Sequence, residues 1–155
     1  MQQGSANMEK VTLVRVVDGD TIVVKRDGEE QKVRFIGIDA PESVAAEESR
    51  NTPEGQEASE YLKGLLHEGQ TLYLEQDVSD TDKYERLLRY VWISVPENPN
   101  DINEMADKML SAIMVSQGYA KARTWEPDHA REDELNTLME RAVAAGAGVS
   151  YLWNE

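Results

Sequence analysis

Two Asp-Gly pairs within the first thirty residues constrain the fold more than any other feature of this sequence. Asp18-Gly19 and Asp27-Gly28 interrupt a stretch that is otherwise rich in valine, isoleucine and threonine, which are residues that favour strands. An Asp-Gly pair between two such runs is typical of a tight hairpin turn. The strand-like runs are residues 11–17, 21–24 and 31–38. Three consecutive strands joined by tight turns predict an antiparallel meander.

The rest of the chain adds helices and two more strands to this meander. Thr52-Pro53 is typical of an N-cap followed by the first helical residue, and apolar residues then recur at helical spacing. Further helices are predicted over residues 103–117 and after Asp128, which we interpret as the N-cap of the last helix. Short alternating runs predict strands at 71–75 and 86–95. This order of elements predicts an α+β fold with a small curled sheet as its core.

The composition is compatible with one globular domain. A chain of 155 residues, 40% of them hydrophobic, is long enough to bury a single core. We expect residues 1–9 to form a flexible N-terminal segment and residues 10–153 to form the domain. No apolar run is long enough for a membrane-spanning helix, and the polar start lacks the apolar core of a signal peptide. The absence of cysteine excludes disulfides and thiolate chemistry.

The charge of the chain argues against a broad nucleic-acid-binding surface. The formal net charge is −14, whereas phosphate binding usually requires a basic surface. Net charge governs solubility and long-range steering rather than the chemistry of one pocket. A cationic cleft therefore remains compatible with this sequence.

Carboxylates follow both the first turn and the third strand. Asp20 follows the first turn, and Asp39 and Glu42 flank Pro41, which fixes its own φ and biases Ala40 toward extended geometry. Taken singly, each motif is more often an ordinary surface turn. Because both motifs belong to one meander, the carboxylates can converge, and two of them at ~4 Å repel by about 4 kcal/mol at an effective dielectric near 20. A divalent cation removes that repulsion, and all-oxygen ligands favour calcium or magnesium over zinc.

Arg34 lies inside the third strand, where alternation places it on the face opposite Phe35. It is either a strand arginine that covers the edge of the core or a phosphate-binding side chain aimed into a cleft. Alternation also separates Arg34 from Asp39, so the two share a site only if the strand ends or bends between them. Pro41 favours such a bend.

Three blocks of sequence together resemble the signature motifs of the staphylococcal nuclease (thermonuclease) family. They are Val17-Asp18-Gly19-Asp20-Thr21, Val33-Arg34-Phe35-Ile36-Gly37-Ile38-Asp39-Ala40-Pro41-Glu42, and Thr81-Asp82-Lys83-Tyr84-Glu85-Arg86-Leu87-Leu88-Arg89-Tyr90-Val91. The resemblance covers residues 10–153. It implies a five-stranded OB-fold β-barrel with three α-helices, and calcium-dependent hydrolysis of phosphodiester bonds that leaves 3′-phosphate ends. It further implies single-stranded or denatured DNA and RNA as substrate, a monomer, and a secreted or cell-envelope location.

The resemblance also assigns roles to individual residues. Calcium would be bound by two carboxylates and one backbone carbonyl group, those of Asp20, Asp39 and Ala40. Glu42 would activate or position the attacking water, while Arg34 and Arg86 would bind the scissile phosphate.

Beside these residues, four side chains of the right chemistry could line a substrate groove by stacking and charge. They are Lys83, Tyr84, Arg123 and Trp125. For Trp125, plain packing is an equally good explanation. We interpret the connection with Asp77, Asp80 and Asp82 as a solvated acidic loop rather than a second calcium site.

Glu85 departs from the pattern of the family, because many relatives have glycine directly before the second arginine. If that position requires positive φ, a glutamate strains the turn, and a carboxylate near the substrate repels phosphate. A side chain that points into solvent avoids the repulsion. The rival functional hypothesis is a catalytically silent OB-fold domain that binds nucleic acid or protein, and the acidic charge is its main support.

Overall fold

The computed structural model describes residues 8–41 and 52–153. Within these ranges the elements in chain order are β1 (Met8–Asp18), β2 (Thr21–Arg26), β3 (Glu29–Phe35), β4 (Ile38–Asp39), α1 (Pro53–Leu65), β5 (Thr71–Glu75), β6 (Leu87–Trp92), α2 (Ile102–Lys108), α3 (Leu110–Ser116), β7 (Lys121–Ala122), α4 (Glu132–Ala145) and a 3₁₀ helix (Ser150–Trp153). Five strands close into a barrel in the order β1-β2-β3-β6-β5, and β4 pairs with β7 in a separate two-stranded sheet.

The predicted antiparallel meander is confirmed. Strands β1, β2 and β3 pair in sequence as antiparallel neighbours, and β5 is antiparallel to both β1 and β6. The barrel is closed by β3 and β6, which run parallel. A closed five-stranded barrel beside helices is the OB-fold architecture expected from the motifs. Strand β1 begins at Met8, inside the segment 1–9, and the division into a terminal segment and one domain stays a prediction.

The core lies inside the barrel and under the helices. Its largest fully buried side chains include Trp92, Phe35, Leu72 and Leu74 from the strands, and Met114 from α3. Strand residues of alternating direction supply this core, since the side-chain period of a strand is two. Burial of such apolar side chains is the main favourable term for a chain that has no disulfide.

The prediction of three α-helices is wrong, because the described residues contain four. The run predicted as one helix over residues 103–117 is divided at Met109, whose φ of −103° and ψ of 123° are extended. Met109 forms a bridge with Trp92 at the end of β6, and the Ile93 amide donates to the Lys108 carbonyl at 2.7 Å. The backbone at the break is therefore recruited by the barrel, and α2 and α3 lie on either side of it.

The start of the last helix also differs from the prediction. Helix α4 begins at Glu132 with Arg131 as its N-cap, and no side chain caps it. Asp128 lies upstream of that helix, and its Oδ1 atom accepts hydrogen bonds from the backbone amides of Val78 and Ser79 at 2.9 and 2.8 Å. Thr52, by contrast, caps α1 as predicted, because its hydroxyl group accepts from the Gly55 amide at 2.9 Å.

Candidate active site

The β1–β2 turn and the end of β4 meet at Asp20 and Ala40. The Asp20 carboxylate is nearly buried, with Oδ1 accepting from the Thr21 hydroxyl group at 3.0 Å and Oδ2 accepting from the Ala40 amide at 2.9 Å. Gly19 permits this approach, since a Cβ atom there would lie 2.9 Å from Ala40 Cβ. The close contact places the Asp20 carboxylate beside the backbone that follows Asp39.

Arg34 lies between the two carboxylates. Its Nη2 atom is 3.5 Å from Asp20 Oδ2 and 3.7 Å from Asp39 Oδ1. The bend required for this contact is present, because β3 ends at Phe35 and the chain turns at Gly37, which has a φ of +88°. Arg34 and Asp39 therefore lie close together, as expected from a bend in the chain, but the bend falls at Gly37 and not at Pro41.

Arg86 is oriented by Asp82 four residues earlier. Asp82 Oδ2 accepts from Arg86 Nε at 2.7 Å, while Oδ1 accepts from the backbone amides of Tyr84 and Arg86 at 2.9 and 3.0 Å. Partial burial raises the pKa of Asp82, but the hydrogen bonds from Arg86 and Tyr84 outweigh burial and hold that pKa below its usual range. Glu85, between them, has a φ of +65° and is exposed.

Two concave surfaces of similar size meet at the arginines. The first, which we call the aromatic groove, has a volume of about 350 Å³ and is lined by Arg34, Phe35, Ile36, Gly37, Asp82, Lys83, Tyr84, Arg86, Leu88, Trp125 and Asp128. The second, the carboxylate pocket, also of about 350 Å³, is lined by Val17, Asp18, Asp20, Thr21, Lys32, Arg34, Asp39, Ala40 and Arg86. Arg34 and Arg86 line both surfaces. The two guanidinium groups thus connect an acidic pocket to an aromatic one.

The aromatic groove presents rings to solvent beside cations. Tyr84 is 67% exposed and Trp125 is 45% exposed, which is unusual for side chains of this size. The Lys83 ammonium lies 5.2 Å from the Tyr84 ring centroid, and the Arg34 guanidinium lies 5.3 Å from that of Trp125. Exposed rings next to cations are the arrangement that binds unpaired bases and their phosphates.

The donors of the carboxylate pocket suit a hard cation. Three acidic and three basic side chains line it, so the pocket is balanced in charge. Oxygen atoms of Asp20, Asp39 and the Ala40 backbone are the ligand type that calcium and magnesium prefer. In residues 8–41 and 52–153, no three His, Asp or Glu side chains form a metal-binding group. Of the three carboxylates that line the pocket, those of Asp20 and Asp39 are the ones expected to bind the cation, and further oxygen ligands would have to come from elsewhere.

Of the residues expected from the sequence at the site, Glu42 lies outside the described residues. The structure brings eight of the others around the two surfaces: Asp20, Asp39 and Ala40 at the carboxylate pocket, Lys83, Tyr84 and Trp125 at the aromatic groove, and Arg34 and Arg86 at both. Their individual roles stay predictions.

The carboxylates of the acidic connection before β6 make specific contacts, although the Asp80 side chain is 66% exposed, and the choice of an acidic loop over a second calcium site stays a prediction. Asp77 Oδ2 accepts from the Tyr90 hydroxyl group and the Ala130 amide, both at 2.9 Å, and burial raises the pKa of Tyr90. Asp80 Oδ1 binds Arg89 Nη2 at 2.7 Å. These carboxylates secure the loop that carries Arg86. In the sequence, the Asp-x-x-x-Arg spacing of Asp82 and Arg86 could have indicated that Asp82 holds this loop, since an aspartate in a tight turn commonly accepts from the amide two residues on.

Sequence reasoning overlooked two further residues at the site. Lys32 lines the carboxylate pocket from β3, and strand alternation with Arg34 is the signal that could have found it. Asp128, assigned to a helix cap, lines the aromatic groove. The sequence predicted Arg123 at the groove but not its contact with Asp39, where Nη1 lies 3.5 Å from Oδ2. That contact depends on the pairing of β4 with β7.

Comparisons with known proteins agree with this geometry. The family described as staphylococcal nuclease homologue matches residues 32–155. The chain is 33% identical over 141 residues to a thermonuclease of Staphylococcus hyicus, covering 89% of this chain and 73% of the relative. It is 35% identical over 137 residues to a thermonuclease of Staphylococcus intermedius, covering 86% and 69%. Endonuclease YncB of Bacillus subtilis (strain 168) is 43% identical over 129 residues, which is 80% of this chain and 54% of the relative.

A barrel of OB-fold type whose surface joins two arginines and an aromatic groove has the features of proteins that bind nucleic acid strands. The chain belongs to the staphylococcal nuclease family, and it is a hydrolase of the nuclease class. Among the described residues, no helix is both long and apolar enough to cross a membrane.

Proposed function

We propose that this chain is a calcium-dependent, sequence-tolerant nuclease that hydrolyses phosphodiester bonds of single-stranded or denatured DNA and of RNA. The observation that carries the proposal is that Arg34 and Arg86 line both the carboxylate pocket and the aromatic groove. A phosphodiester held by both arginines would have a base beside the exposed rings and its reacting oxygens beside the carboxylates. The 3′-phosphate ends and the monomeric state are proposed from membership of the family.

The two arginines would bind the scissile phosphate and stabilise the negative charge that grows on it. A guanidinium group remains protonated at any physiological pH and offers paired donors that match phosphate oxygens. Arg86 donates to Asp82 through Nε at 2.7 Å. This bond orients the guanidinium group and leaves its two terminal nitrogens to bind phosphate. Arg34 Nη1 donates to the Phe35 carbonyl at 2.8 Å, which fixes that guanidinium beside Asp20. Such preorganised charge is the largest single contribution to many enzymatic rates.

Asp20, Asp39 and the carbonyl group of Ala40 would hold the calcium ion. When bound there, the ion would supply positive charge to the phosphate oxygens. The balanced charge of the pocket supports this role, because the pocket alone offers phosphate little net attraction. Arg34 lies 3.5 to 3.7 Å from both carboxylates, which is longer than a strong charge-assisted hydrogen bond. Both carboxylates therefore retain capacity for a further cationic partner.

Glu42 would accept a proton from the attacking water or orient it, three residues after Asp39. A carboxylate is a suitable general base when it lies within hydrogen-bond reach of the water. Tyr84 and Trp125 would stack with bases, and Lys83 would attract the backbone. Because stacking on exposed rings requires bases that are not paired, this groove favours single-stranded substrate.

Digestion of single-stranded DNA and of RNA with calcium, with magnesium and with a chelator tests the proposal. We expect cleavage with calcium that stops with chelator, and product ends that become extendable only after phosphatase treatment. Arg34→Ala, Arg86→Ala and Glu42→Ala should each lower kcat by about 10²-fold or more. Arg141→Ala is the control of equal charge, since Arg141 is exposed on α4, and it should remain fully active.

Three results would contradict the proposal. Cleavage that persists in chelator would remove the calcium requirement. Full activity in the Arg34 and Arg86 variants, with melting temperatures near that of the parent protein, would place the chemistry elsewhere. Complete inactivity of the parent protein with every substrate and with calcium bound would favour the silent binding domain.

A further inference from the structure

Arg123 is held at the edge of the site by the small sheet. Its backbone amide donates to the Gly37 carbonyl at 2.9 Å, directly after β7, which pairs with β4 through Asp39 and Lys121. Its Nη1 atom lies 3.5 Å from Asp39 Oδ2, and its guanidinium lies 4.7 Å from the ring centroid of Trp125. The side chain therefore connects a carboxylate of one surface with a ring of the other.

A purely structural role explains Arg123 poorly. Its side chain is 52% exposed, and exposed ion pairs contribute little to stability. The buried Arg131 offers a comparison, since it binds Glu75 at 2.7 Å with a side chain only 8% exposed. Arg123 instead makes one ion pair within the described residues, and the 3.5 Å distance is longer than that of a charge-assisted hydrogen bond. A guanidinium group has five N–H donors, and this single ion pair engages only part of them.

We propose that Arg123 is a substrate-binding residue that holds a phosphate adjacent to the scissile phosphate in the same strand. The proposal rests on the nuclease function proposed above and adds a determinant of substrate length. Arg34 contacts Oδ1 of Asp39, whereas Arg123 contacts Oδ2, so the two guanidinium groups lie against different oxygens of one carboxylate. A phosphate bound by Arg34 and Arg86 leaves Arg123 across Asp39, where the next phosphate of the strand is the available anion.

The Trp125 ring supports this assignment. Arg34 and Arg123 both lie within 6 Å of its centroid, at distances where a cation is attracted to an aromatic face. A base stacked on this exposed ring would carry its own phosphates past the guanidinium groups on either side. Contact with the ring also restricts the long side chain of Arg123, so less rotamer entropy is lost when a phosphate binds.

Steady-state kinetics on substrates of different length test the proposal. Arg123→Ala is compared with the parent protein on a dinucleotide, which has one phosphodiester, and on a short single-stranded oligonucleotide. We expect about a fivefold rise in KM for the oligonucleotide, typical of one solvent-exposed charged contact, and no change for the dinucleotide. The slope of log KM against log salt concentration should fall by about 0.7, the value for one phosphate contact on a single strand.

Two further variants separate charge from structure. Arg123→Lys keeps the positive charge and should retain the salt dependence of the parent protein. Arg141→Ala removes an exposed arginine far along α4 and should leave both KM and its salt dependence unchanged. Melting temperatures of all variants identify any loss of folding.

The possible results are distinct. An equal loss on dinucleotide and oligonucleotide would assign Arg123 to the scissile phosphate and overturn the proposal, as would a salt slope equal to that of the parent protein. If Arg123→Lys showed the same reduced slope of log KM against log salt concentration as Arg123→Ala, a phosphate contact through positive charge would be excluded. Failure of the parent protein to cleave any substrate would refute the nuclease function instead. The salt dependence of oligonucleotide binding, followed by fluorescence anisotropy, would then still test Arg123.

Discussion

Replacement of Glu85 by glycine should stabilise the protein and improve substrate binding at the same time. Glu85 has a φ of +65°, a conformation in which the Cβ atom of an ordinary residue approaches the following carbonyl oxygen. That contact costs roughly 1–2 kcal/mol. Glycine avoids the contact but loses about 0.5–1 kcal/mol more in backbone entropy on folding. The net gain in the free energy of unfolding is therefore about 0.5–1 kcal/mol.

The charge of Glu85 contributes separately from the strain. Its side chain is exposed, next to Tyr84 of the aromatic groove and to Arg86. At a separation of about 8 Å in water, two unit charges of like sign repel by roughly 0.5 kcal/mol. Removal of the carboxylate should thus lower KM for an oligonucleotide by about twofold at low salt, and the gain should disappear at high salt as the charges are screened.

Two variants distinguish strain from charge. Glu85→Ala removes the carboxylate and retains the strained backbone, whereas Glu85→Gly removes both. In a chain of this length, the gain of Glu85→Gly corresponds to a rise in melting temperature of about 1–4 °C, while Glu85→Ala should show the change in KM without that rise. Equal melting temperatures for the two variants would refute the argument from backbone strain. An unchanged KM in both variants at low salt would refute the argument from charge.

Three other substitutions address the remaining parts of the site. Asp82→Asn should lower the melting temperature near neutral pH by about 4–8 °C, because it weakens charge-assisted bonds worth about 2 kcal/mol together. Since the folded pKa of Asp82 lies below its unfolded value, the difference in melting temperature from the parent protein should shrink as the pH falls through the folded pKa. A difference independent of pH would contradict this prediction. Gly37→Ala should destabilise the protein by about 2 kcal/mol or more through strain at its positive φ, because φ is +88° and the added Cβ atom would lie 2.5 Å from Leu135 Cδ1. Thermal melting measures this loss. The control Gly64→Ala should stabilise the protein instead, since nothing lies within 4 Å of its added atom. Trp125→Ala should raise KM for an oligonucleotide by roughly tenfold through loss of base stacking, with Trp125→Phe close to the parent protein in the same kinetic assay.

The net charge of −14 looked like an argument against catalysis on nucleic acid. The structure shows why it is not decisive. The two surfaces carry four cationic side chains, those of Arg34, Arg86, Lys83 and Lys32, beside five aspartates, so they are close to neutral rather than strongly acidic. Other acidic side chains hold the preceding loop, and Asp80, for instance, binds Arg89 at 2.7 Å. Total charge averages over the molecule, and at short range the local arrangement dominates because distant charges are screened.

The helices show where local patterns are overridden by tertiary contacts. The Thr52 cap was predictable because an N-cap hydrogen bond joins residues three apart in the chain. The break at Met109 was not, since residues 103–117 have a continuous helical pattern and the extended backbone depends on a bridge with Trp92. Asp128 was misassigned for the same reason, because its partners Val78 and Ser79 are about fifty residues away.

The sequence by itself determined the antiparallel meander and the residue types at the site. Strand period and Asp-Gly turns act between neighbours, and the blocks around Asp20, Arg34 and Arg86 carry enough pattern to indicate the family. Only the tertiary structure decided which of these residues meet. Arg34 reaches Asp39 because the chain turns at Gly37, and Arg123 reaches the same carboxylate because β4 pairs with β7. Both contacts depend on how distant segments pack, which no local pattern specifies.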